Sequence, residues 1–172
     1  MRVFIIGFMC SGKSVVGREL ALITGRRFVD IDRVIEQRIG PILPWMKEHG
    51  EAGFRDVENE VLSALLEEDD VLVACGGGTP MAADNMDRMM DKGLVVYLDV
   101  PQHILVERAK RSGGDRPLIH GLAGEALHNR IAELMRVREP VYRRAPVHVP
   151  GAGTPAETAL LMADKLGLLQ ER

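Results

Sequence analysis

Residues 7–14, which read GFMCSGKS, fit the phosphate-binding pattern G-x-x-x-x-G-K-[ST]. A short apolar run at residues 2–6 precedes them and predicts a buried strand, and apolar residues at helical spacing follow them. A strand, a glycine turn and a helix in this order are the context in which the motif is informative. The chain is therefore predicted to fold around a nucleotide site.

The chemistry of such a loop assigns roles to its residues. Backbone N–H groups of the loop and the first helical turn converge on an anion. Lys13 is expected to reach the β- and γ-phosphates, and the Ser14 hydroxyl to ligate Mg²⁺. The predicted nucleotide contacts in this region are Cys10, Ser11, Gly12, Lys13, Ser14 and Val15.

Cys10 stands where many kinase P-loops carry another glycine. Because it has a side chain, its backbone is expected to avoid a positive φ. We interpret its thiol as a small tolerated group, and a redox-sensing role is the alternative, since thiols at helix N-termini can have a lowered pKa.

Composition narrows the class of protein. The chain has 172 residues, 46% of them hydrophobic, which predicts one domain spanning residues 1–172. A formal net charge of −3 argues against a nucleic-acid binder. The two cysteines form no metal-type spacing and favour a reducing, cytoplasmic setting. No membrane span or signal peptide is predicted, so we expect a cytoplasmic protein that acts as a monomer.

Strand-like and helix-like segments alternate along the chain, which predicts an α/β fold with a parallel sheet between two helical layers. Thr154 and Glu157 form a predicted capping box at the start of the last helix. The predicted strands are residues 2–6, 28–30, 71–74, 94–98 and 147–149. The predicted helices are residues 13–24, 31–38, 54–67, 82–92, 102–111, 124–138 and 155–168.

Two carboxylates follow the second predicted strand, at Asp30 and Asp32. If the strand is still extended there, both side chains leave from the same side. One could then hold the Mg²⁺ water shell while the other meets a substrate hydroxyl. Alternatively, Asp32 only caps the following helix, which is a common use of aspartate at such a junction.

Arg55 and Glu58 lie three residues apart on an amphipathic helical pattern and are therefore neighbours. One interpretation is a surface ion pair worth at most about 1 kcal/mol. The other is that Glu58 orients Arg55 towards an anionic substrate, since the planar guanidinium binds both oxygens of a carboxylate.

Three successive glycines, Gly76, Gly77 and Gly78, follow the third predicted strand and favour a ligand that lies against bare backbone. A glycine-containing stretch at about residues 112–124 is predicted to be a mobile lid, with Arg116 placed to stabilise charge on a transferred phosphoryl group. Arg138 is predicted to end a helix just before the last strand.

Taken together, these segments resemble the shikimate kinase family along nearly the whole chain. The P-loop alone is shared by many families, but the ordered set is highly specific. The matching segments are GFMCSGKS at residues 7–14, FVDID at 28–32, GEAGFRDVE at 50–58, GGGTP at 76–80, RPL at 116–118 and VREPVYRRA at 137–145.

The resemblance implies a nucleoside-monophosphate-kinase-like fold with a five-stranded parallel sheet of order 2-3-1-4-5. It implies transfer of the γ-phosphoryl group of ATP to the 3-hydroxyl of shikimate, with Mg²⁺. The implied catalytic residues are Lys13, Asp32 and Arg116. The implied shikimate contacts are Asp32, Arg55, Gly76, Gly77, Gly78 and Arg138; Ser14 and Asp30 serve the metal; and Arg111, Arg116 and Pro155 serve the nucleotide.

Two other functions are compatible with the residues. A different small-molecule kinase, acting on gluconate or a nucleotide, would use the same P-loop. A non-catalytic nucleotide sensor would bind the nucleotide and phosphorylate nothing, although no guanine-reading Asn/Thr-Lys-x-Asp segment is present.

Overall fold

The computed structural model describes residues 1–112 and 116–169. Its sheet within these residues has five parallel strands in the order β2-β3-β1-β4-β5, as the family resemblance implied. The strands are β1 (Arg2–Ile6), β2 (Arg27–Asp30), β3 (Val71–Ala74), β4 (Leu94–Asp99) and β5 (Val147–Pro150).

Seven α-helices lie within the described residues, and the helix α1 packs against α7 and contacts β1, β2 and β3. Short 3₁₀ turns occur at Thr79–Met81 and Pro117–Ile119. The helices are α1 (Lys13–Thr24), α2 (Ile31–Ile39), α3 (Ile42–Leu65), α4 (Asn85–Lys92), α5 (Gln102–Arg111), α6 (Gly124–Tyr142) and α7 (Pro155–Lys165).

The central strands read as apolar runs because helices cover both of their faces. All four residues of β3 are buried, as are residues 3–6 of β1. The parallel register pairs Ile5 with Ala74 and Ala74 with Asp30. The loops that follow these strands therefore start side by side at one edge of the sheet, where ligands of such sheets bind.

The helix predicted at residues 54–67 begins twelve residues earlier than expected, at Ile42. Pro44 is tolerated because it lies in the first helical turn, where its missing N–H would have no partner. At Gly50 the backbone leaves the helical region, with φ 79° and ψ 169°, and this break divides α3 into two parts. The first part was not predicted because residues 40–44, which read GPILP, contain a glycine and two prolines, and these residues are typical of loops.

The helix predicted to end at Arg138 continues through Pro140 to Tyr142, so Arg138 lies inside α6. A proline removes one helical hydrogen bond, here to the carbonyl of Arg136. Both Pro140 and Arg136 are exposed, so water can hydrogen-bond to that carbonyl. Near the end of a helix the disruption is small.

Other predicted boundaries shift by a few residues. The segment predicted as a helix at 82–92 contains α4 only from Asn85, and Thr79-Pro80 opens a 3₁₀ turn instead. The capping box at Thr154 and Glu157 is confirmed. In the part of the chain that the structure describes, every helix is too short or too polar to cross a membrane.

Candidate active site

The loop between β1 and α1 exposes a helix N-terminus to a cavity. Gly12 is the N-cap of α1 and has φ 95°, a conformation that favours glycine, and the first turn carries no acidic side chain. Gly7 is equally constrained, since a Cβ there would lie 2.8 Å from the carbonyl oxygen of Leu98. The loop therefore presents backbone N–H groups that can bind an anion.

The Lys13 side chain folds back over this loop. Its Nζ donates hydrogen bonds to the carbonyl oxygens of Gly7 (2.9 Å) and Phe8 (2.8 Å), and lies 3.4 Å from Ser11 Oγ. Burial, and to a lesser extent the positive charge of Arg116, lowers the pKa of Lys13 to about 8. These carbonyls hold the ammonium group within the loop that would bind phosphate.

A cavity of about 250 Å³ lies in front of the loop. Seven of the predicted nucleotide-binding or metal residues line it, and Ser11, Arg111 and Pro155 do not. Ser11 is buried and accepts a hydrogen bond from Lys13. The lining residues from the prediction are Cys10, Gly12, Lys13, Ser14, Val15, Asp30 and Arg116, joined by Asp32 and Gly77.

The backbone prediction for Cys10 was wrong. Cys10 has φ 63°, in the left-handed region that the residue was expected to avoid. The position therefore keeps the geometry of a glycine while carrying a half-buried thiol against the cavity. A side chain in this conformation costs about 1–2 kcal/mol relative to a right-handed one.

Asp30 and Asp32 take different places at the start of α2. Asp30 is the N-cap, and its Oδ1 accepts from the backbone N–H groups of Asp32 (3.1 Å) and Arg33 (3.5 Å). Asp32 is therefore not the cap, and the strand has ended before it, so the expectation of two carboxylates on one extended strand was wrong. The helical turn nevertheless brings both residues to the same cavity.

The carboxyl group of Asp32 is perturbed in a way that suits proton transfer. Burial raises its pKa to about 6, and the negative charges of Asp30 and Glu58 act in the same direction. Lys13 and Arg116 oppose this shift. A carboxylate with a pKa of about 6 is ionised at neutral pH and is a better proton acceptor than an ordinary aspartate.

A larger cavity of about 720 Å³ adjoins the first. The two cavities share Asp32, Gly77 and Arg116, so these residues lie where they meet. Residues of α3, among them Ile42, form an apolar part of its wall. The remaining lining includes all the other predicted substrate residues, namely Arg55, Gly76, Gly78 and Arg138.

Arg55 is paired with a buried acid. Its Nη1 donates to Glu58 Oε2 over 2.6 Å, and its Nη2 lies 3.3 Å from the more exposed Glu51. The Glu58 side chain is only 1% exposed, so the interpretation of an ordinary surface ion pair was wrong. Glu58 raises the pKa of Arg55 against the opposing effect of burial. Glu58 thus fixes a permanent cation at the cavity.

Arg138 is the second cation of the larger cavity and, unlike the half-buried Arg55, is buried. Its side chain is 7% exposed and lies over the ring of Phe8, with 5.8 Å from Cζ to the ring centroid. It lies near the Tyr142 hydroxyl, whose pKa its positive charge lowers against the larger raising effect of burial. No carboxylate of the described residues forms an ion pair with it, so a bound anion could supply the missing charge.

The glycine turn after β3 supports these side chains. A Cβ at Gly78 would lie 2.2 Å from Arg55 Nη2, and one at Gly77 would lie 3.2 Å from Arg138 Nη1. A Cβ at Gly76 would crowd the oxygens of Glu58, Thr79 and Asp32. The three glycines predicted a ligand that lies against bare backbone. The structure adds that the guanidinium groups of Arg55 and Arg138 also pack against this backbone.

Sequence reasoning missed Arg108. Its Nη1 donates to the carbonyl oxygen of Ser11 (2.8 Å) and its Nη2 to that of Gly151 (2.9 Å). It lines the smaller cavity, whereas Arg111, three residues later, is exposed at the end of α5. The two differ in position on the helix, but the sequence gives no local signal that only one of them reaches the P-loop.

The oxygen atoms at the smaller cavity suit a hydrated Mg²⁺ ion. Ser14, Asp30 and Asp32 all line it. Among residues 1–112 and 116–169, no cluster of three or more His, Cys, Asp or Glu side chains forms a complete metal site. Few protein ligands are expected for Mg²⁺, which keeps several waters and binds through one or two side chains plus substrate phosphates.

Comparison with known proteins agrees with this geometry. A family model described as shikimate kinase matches residues 9–165. A shikimate kinase from Parabacteroides distasonis is 40% identical over 147 residues, covering 85% of both chains. One from Halorhodospira halophila is 42% identical over 143 residues, covering 83% of this chain and 78% of its own.

Solved structures give the same result. The crystal structure of shikimate kinase from Bacteroides thetaiotaomicron has a TM-score of 0.90 at 28% identity and covers 97% of this chain and 98% of its own. Shikimate kinase from Acinetobacter baumannii in complex with shikimate has a TM-score of 0.87 at 32% identity, covering 99% and 95%. The chain belongs to the shikimate kinase family.

Proposed function

We infer that this protein is a shikimate kinase: it transfers the γ-phosphoryl group of ATP to the 3-hydroxyl of shikimate, giving shikimate 3-phosphate and ADP in aromatic amino-acid biosynthesis. One observation carries this inference beyond family membership. A P-loop cavity and a cavity lined by Arg55 and Arg138 meet at Asp32 and Arg116. Donor and acceptor would therefore approach each other beside a base and a cation.

The acceptor cavity matches the chemistry of shikimate, which carries one carboxylate and several hydroxyl groups. Arg55 and Arg138 would bind the carboxylate, with charge-assisted hydrogen bonds of the kind a guanidinium makes best. Backbone groups of Gly76, Gly77 and Gly78 would lie against the ring. Asp32, which lies where this cavity meets the P-loop cavity, is left for the hydroxyl that reacts.

Phosphoryl transfer needs mainly alignment and charge neutralisation. Asp32 would orient the 3-hydroxyl and accept its proton as the new O–P bond forms and the bond between the γ-phosphorus and the bridging oxygen of ADP breaks. Lys13 would leave its contacts with the loop carbonyls for the β- and γ-phosphates. Arg116 would neutralise charge on the transferred group, and its place between the two cavities supports this role.

We propose Ser14 and Asp30 as the groups that hold Mg²⁺, directly or through water. Bound together with ATP, Mg²⁺ would neutralise phosphate charge. Asp30 is already committed to capping α2 through one oxygen, which leaves its second oxygen for a metal-bound water.

At the adenine end we propose that Arg108 borders the base, with Arg111 and Pro155 further out. Arg108 joins the P-loop to Gly151, four residues before Pro155, so it stands beside the loop that would flank adenine. The predicted roles of Arg111 and Pro155 remain proposals.

We also propose that residues 1–172 act as one domain, that the enzyme is a cytoplasmic monomer, and that residues 112–124 form a lid. Residues 113–115 of this lid lie outside the described residues. Ser112 and Arg116 line both cavities, and Ile119 is 1% exposed, which supports a lid anchored at Ile119. Light scattering of the purified protein at assay concentration tests the monomer.

The decisive assay measures ADP release from Mg²⁺-ATP with shikimate, quinate or gluconate as acceptor, and identifies the phosphorylated position by ³¹P–¹H correlation. We expect turnover with shikimate well above the other two and a phosphate on the 3-oxygen. Preference for gluconate would support the other kinase class. ATP binding without turnover of any acceptor would support a nucleotide sensor.

A further inference from the structure

We propose that Thr79 is a positioning residue for the acceptor: its hydroxyl fixes the Glu58 carboxylate, and Glu58 in turn aims Arg55 into the larger cavity. This rests on the proposed function, since it assigns Arg55 to the carboxylate of shikimate. Thr79 itself lines neither of the two cavities and touches no reacting atom.

The hydrogen bonds of Glu58 are divided between two donors. Thr79 Oγ1 donates to Oε1 over 2.5 Å, and Arg55 Nη1 donates to Oε2 over 2.6 Å. Thr79 is fully buried and Glu58 is 1% exposed, so water has little access to this carboxylate. Each oxygen is therefore occupied by one donor, and the direction of the carboxylate plane is set from both sides.

Hydrogen bonds to the backbone of Thr79 fix the position from which its hydroxyl reaches Glu58. The Thr79 N–H donates to the carbonyl oxygen of Gly76 (3.1 Å), and the carbonyl oxygen of Thr79 accepts from Asn85 Nδ2 (3.1 Å). Asn85 is 1% exposed and its Oδ1 accepts from Arg88. Arg88 also binds Asn59 and Ser63 on α3, so the network returns to the helix that carries Glu58.

Removal of the hydroxyl would leave Glu58 Oε1 without a donor in dry surroundings. The nearest mobile donor is Arg55, which can satisfy both carboxylate oxygens only by rotating its guanidinium group towards Glu58. That rotation takes N–H groups away from the cavity, so affinity for the carboxylate of the acceptor falls. The P-loop, more distant and separately held by Lys13, should keep its affinity for ATP.

The hydroxyl also lies close to two acids. A Cβ at Gly76 would lie 2.8 Å from Glu58 Oε1, 3.0 Å from Thr79 Oγ1 and 3.1 Å from Asp32 Oδ1, so these three oxygens surround one point. By donating to Glu58, Thr79 offsets part of the negative charge that faces Asp32. Residue 79 therefore influences both ends of the acceptor site without contacting the acceptor.

Steady-state kinetics of Thr79→Ser, Thr79→Ala and Thr79→Val test this role. Serine keeps the oxygen, alanine differs from serine only in that atom, and valine keeps the shape of threonine. We expect the KM for shikimate to rise about tenfold in the alanine and valine variants and to stay within about twofold of wild type in the serine variant. The KM for ATP should not change.

Wild-type turnover of shikimate reports on the proposed function, and the ratio between variants reports on Thr79. A merely structural role would lower the melting temperature and the fraction of active enzyme, and so kcat, without raising the KM for shikimate. Equal KM values for active serine and alanine variants would overturn the proposal. Since the serine and alanine variants differ only by the hydroxyl oxygen, their comparison stands even if Thr79→Val folds poorly.

Discussion

The hydroxyl of Tyr142 donates a hydrogen bond to the carbonyl oxygen of Gly77 over 2.5 Å, which ties the last turn of α6 to the glycine turn of the acceptor cavity. The Tyr142 ring is fully buried against Tyr97, with 5.4 Å between centroids. Burial raises the pKa of Tyr142 to about 12, so the phenol remains a donor at working pH. The positive charge of Arg138 opposes this rise, so the hydroxyl that binds the glycine turn also lies in the field of the second cation of the cavity.

We expect Tyr142→Phe to raise the KM for shikimate about fivefold while leaving the KM for ATP unchanged, because a buried carbonyl loses its donor at a cost of about 1 kcal/mol. Initial-rate kinetics with each substrate varied in turn provide the measurement. Tyr97→Phe is the matched control, since it alters the same ring pair without touching Gly77. Equal effects of both variants would contradict a specific role for the Tyr142 hydroxyl.

The raised pKa of Asp32 predicts an acid limb in the pH profile. The proposed role of Asp32 as the base requires the ionised carboxylate, so kcat/KM for shikimate should fall as the pH drops through about 6. Asp32→Asn should lower kcat by at least about 100-fold with the fold intact, as loss of a general base does. A profile that stays flat down to pH 5 would exclude Asp32 as the base.

The same residue predicts a pH dependence of stability. The folded-state pKa, about 6, lies above the unfolded value of 3.8, so the folded form favours the protonated carboxyl. This contribution is fully present below pH 4 and is lost as the pH rises through 6. Asp32→Asn should therefore gain about 2 kcal/mol over wild type between pH 4 and pH 8. Urea unfolding at both pH values measures it, and a constant difference would contradict the shift.

Arg108 and Arg111 provide a comparison of two arginines on one helix. Arg108→Ala removes two hydrogen bonds to carbonyl oxygens beside the P-loop and should raise the KM for ATP about tenfold. Arg111→Ala, at an exposed position, should change it less than twofold. Shikimate binding by calorimetry should be unaffected in both. A larger rise in the KM for ATP in Arg111→Ala than in Arg108→Ala would indicate that Arg111, and not Arg108, contacts adenine.

Gly78→Ala should weaken shikimate binding because the new methyl group would meet Arg55 at 2.2 Å. We expect the KM for shikimate to rise more than tenfold, in line with a misplaced charge-assisted contact. In an Arg55→Ala background the same substitution should cost little more, since the colliding group is gone. Additive effects in this double-mutant cycle would show that Gly78 acts independently of Arg55.

Cys10→Gly should stabilise the protein slightly. Glycine accepts φ 63° without penalty, which gains about 1–2 kcal/mol, but it also frees the unfolded chain at a cost of about 0.4–1 kcal/mol. Cys10→Ala keeps the Cβ and should show no gain, so it separates backbone strain from the thiol. Thermal unfolding with and without ADP measures both, and a gain in the alanine variant alone would point to the thiol.

Much of the fold followed from local patterns, and the failures have physical causes. Buried β strands and amphipathic helices can be predicted from their composition and from the period of their apolar residues. The first part of α3, in contrast, lies between Gly40 and Gly50 and contains Pro44, and all three residues favour a loop prediction. Whether Asp32 caps α2 depended on where the preceding strand ends. The pairing of Asp30 with Ala74 shows that β2 extends to Asp30, so Asp30 takes the cap position and Asp32 lies in the first turn of the helix.

The site was predictable where residues act through motifs and less so where they act through distant contacts. Arg55 and Glu58 are neighbours on one helix, so their pairing was readable. Arg108 meets Gly151 across 43 positions, and Tyr142 meets Gly77 across 65. No local pattern encodes such contacts, because they depend on how the loops after different strands come together at the edge of the sheet.

The break at Gly50 separates two tasks that a continuous helix would combine. The part of α3 before it, including Ile42 and Met46, forms the apolar wall of the acceptor cavity, and the part after it carries Arg55 and Glu58. The helical conformation is interrupted between them at Gly50. A substitution that changes the size of the wall can therefore leave the register of Arg55 and Glu58 unchanged, so the shape of the cavity and its charge are encoded in separate helical segments.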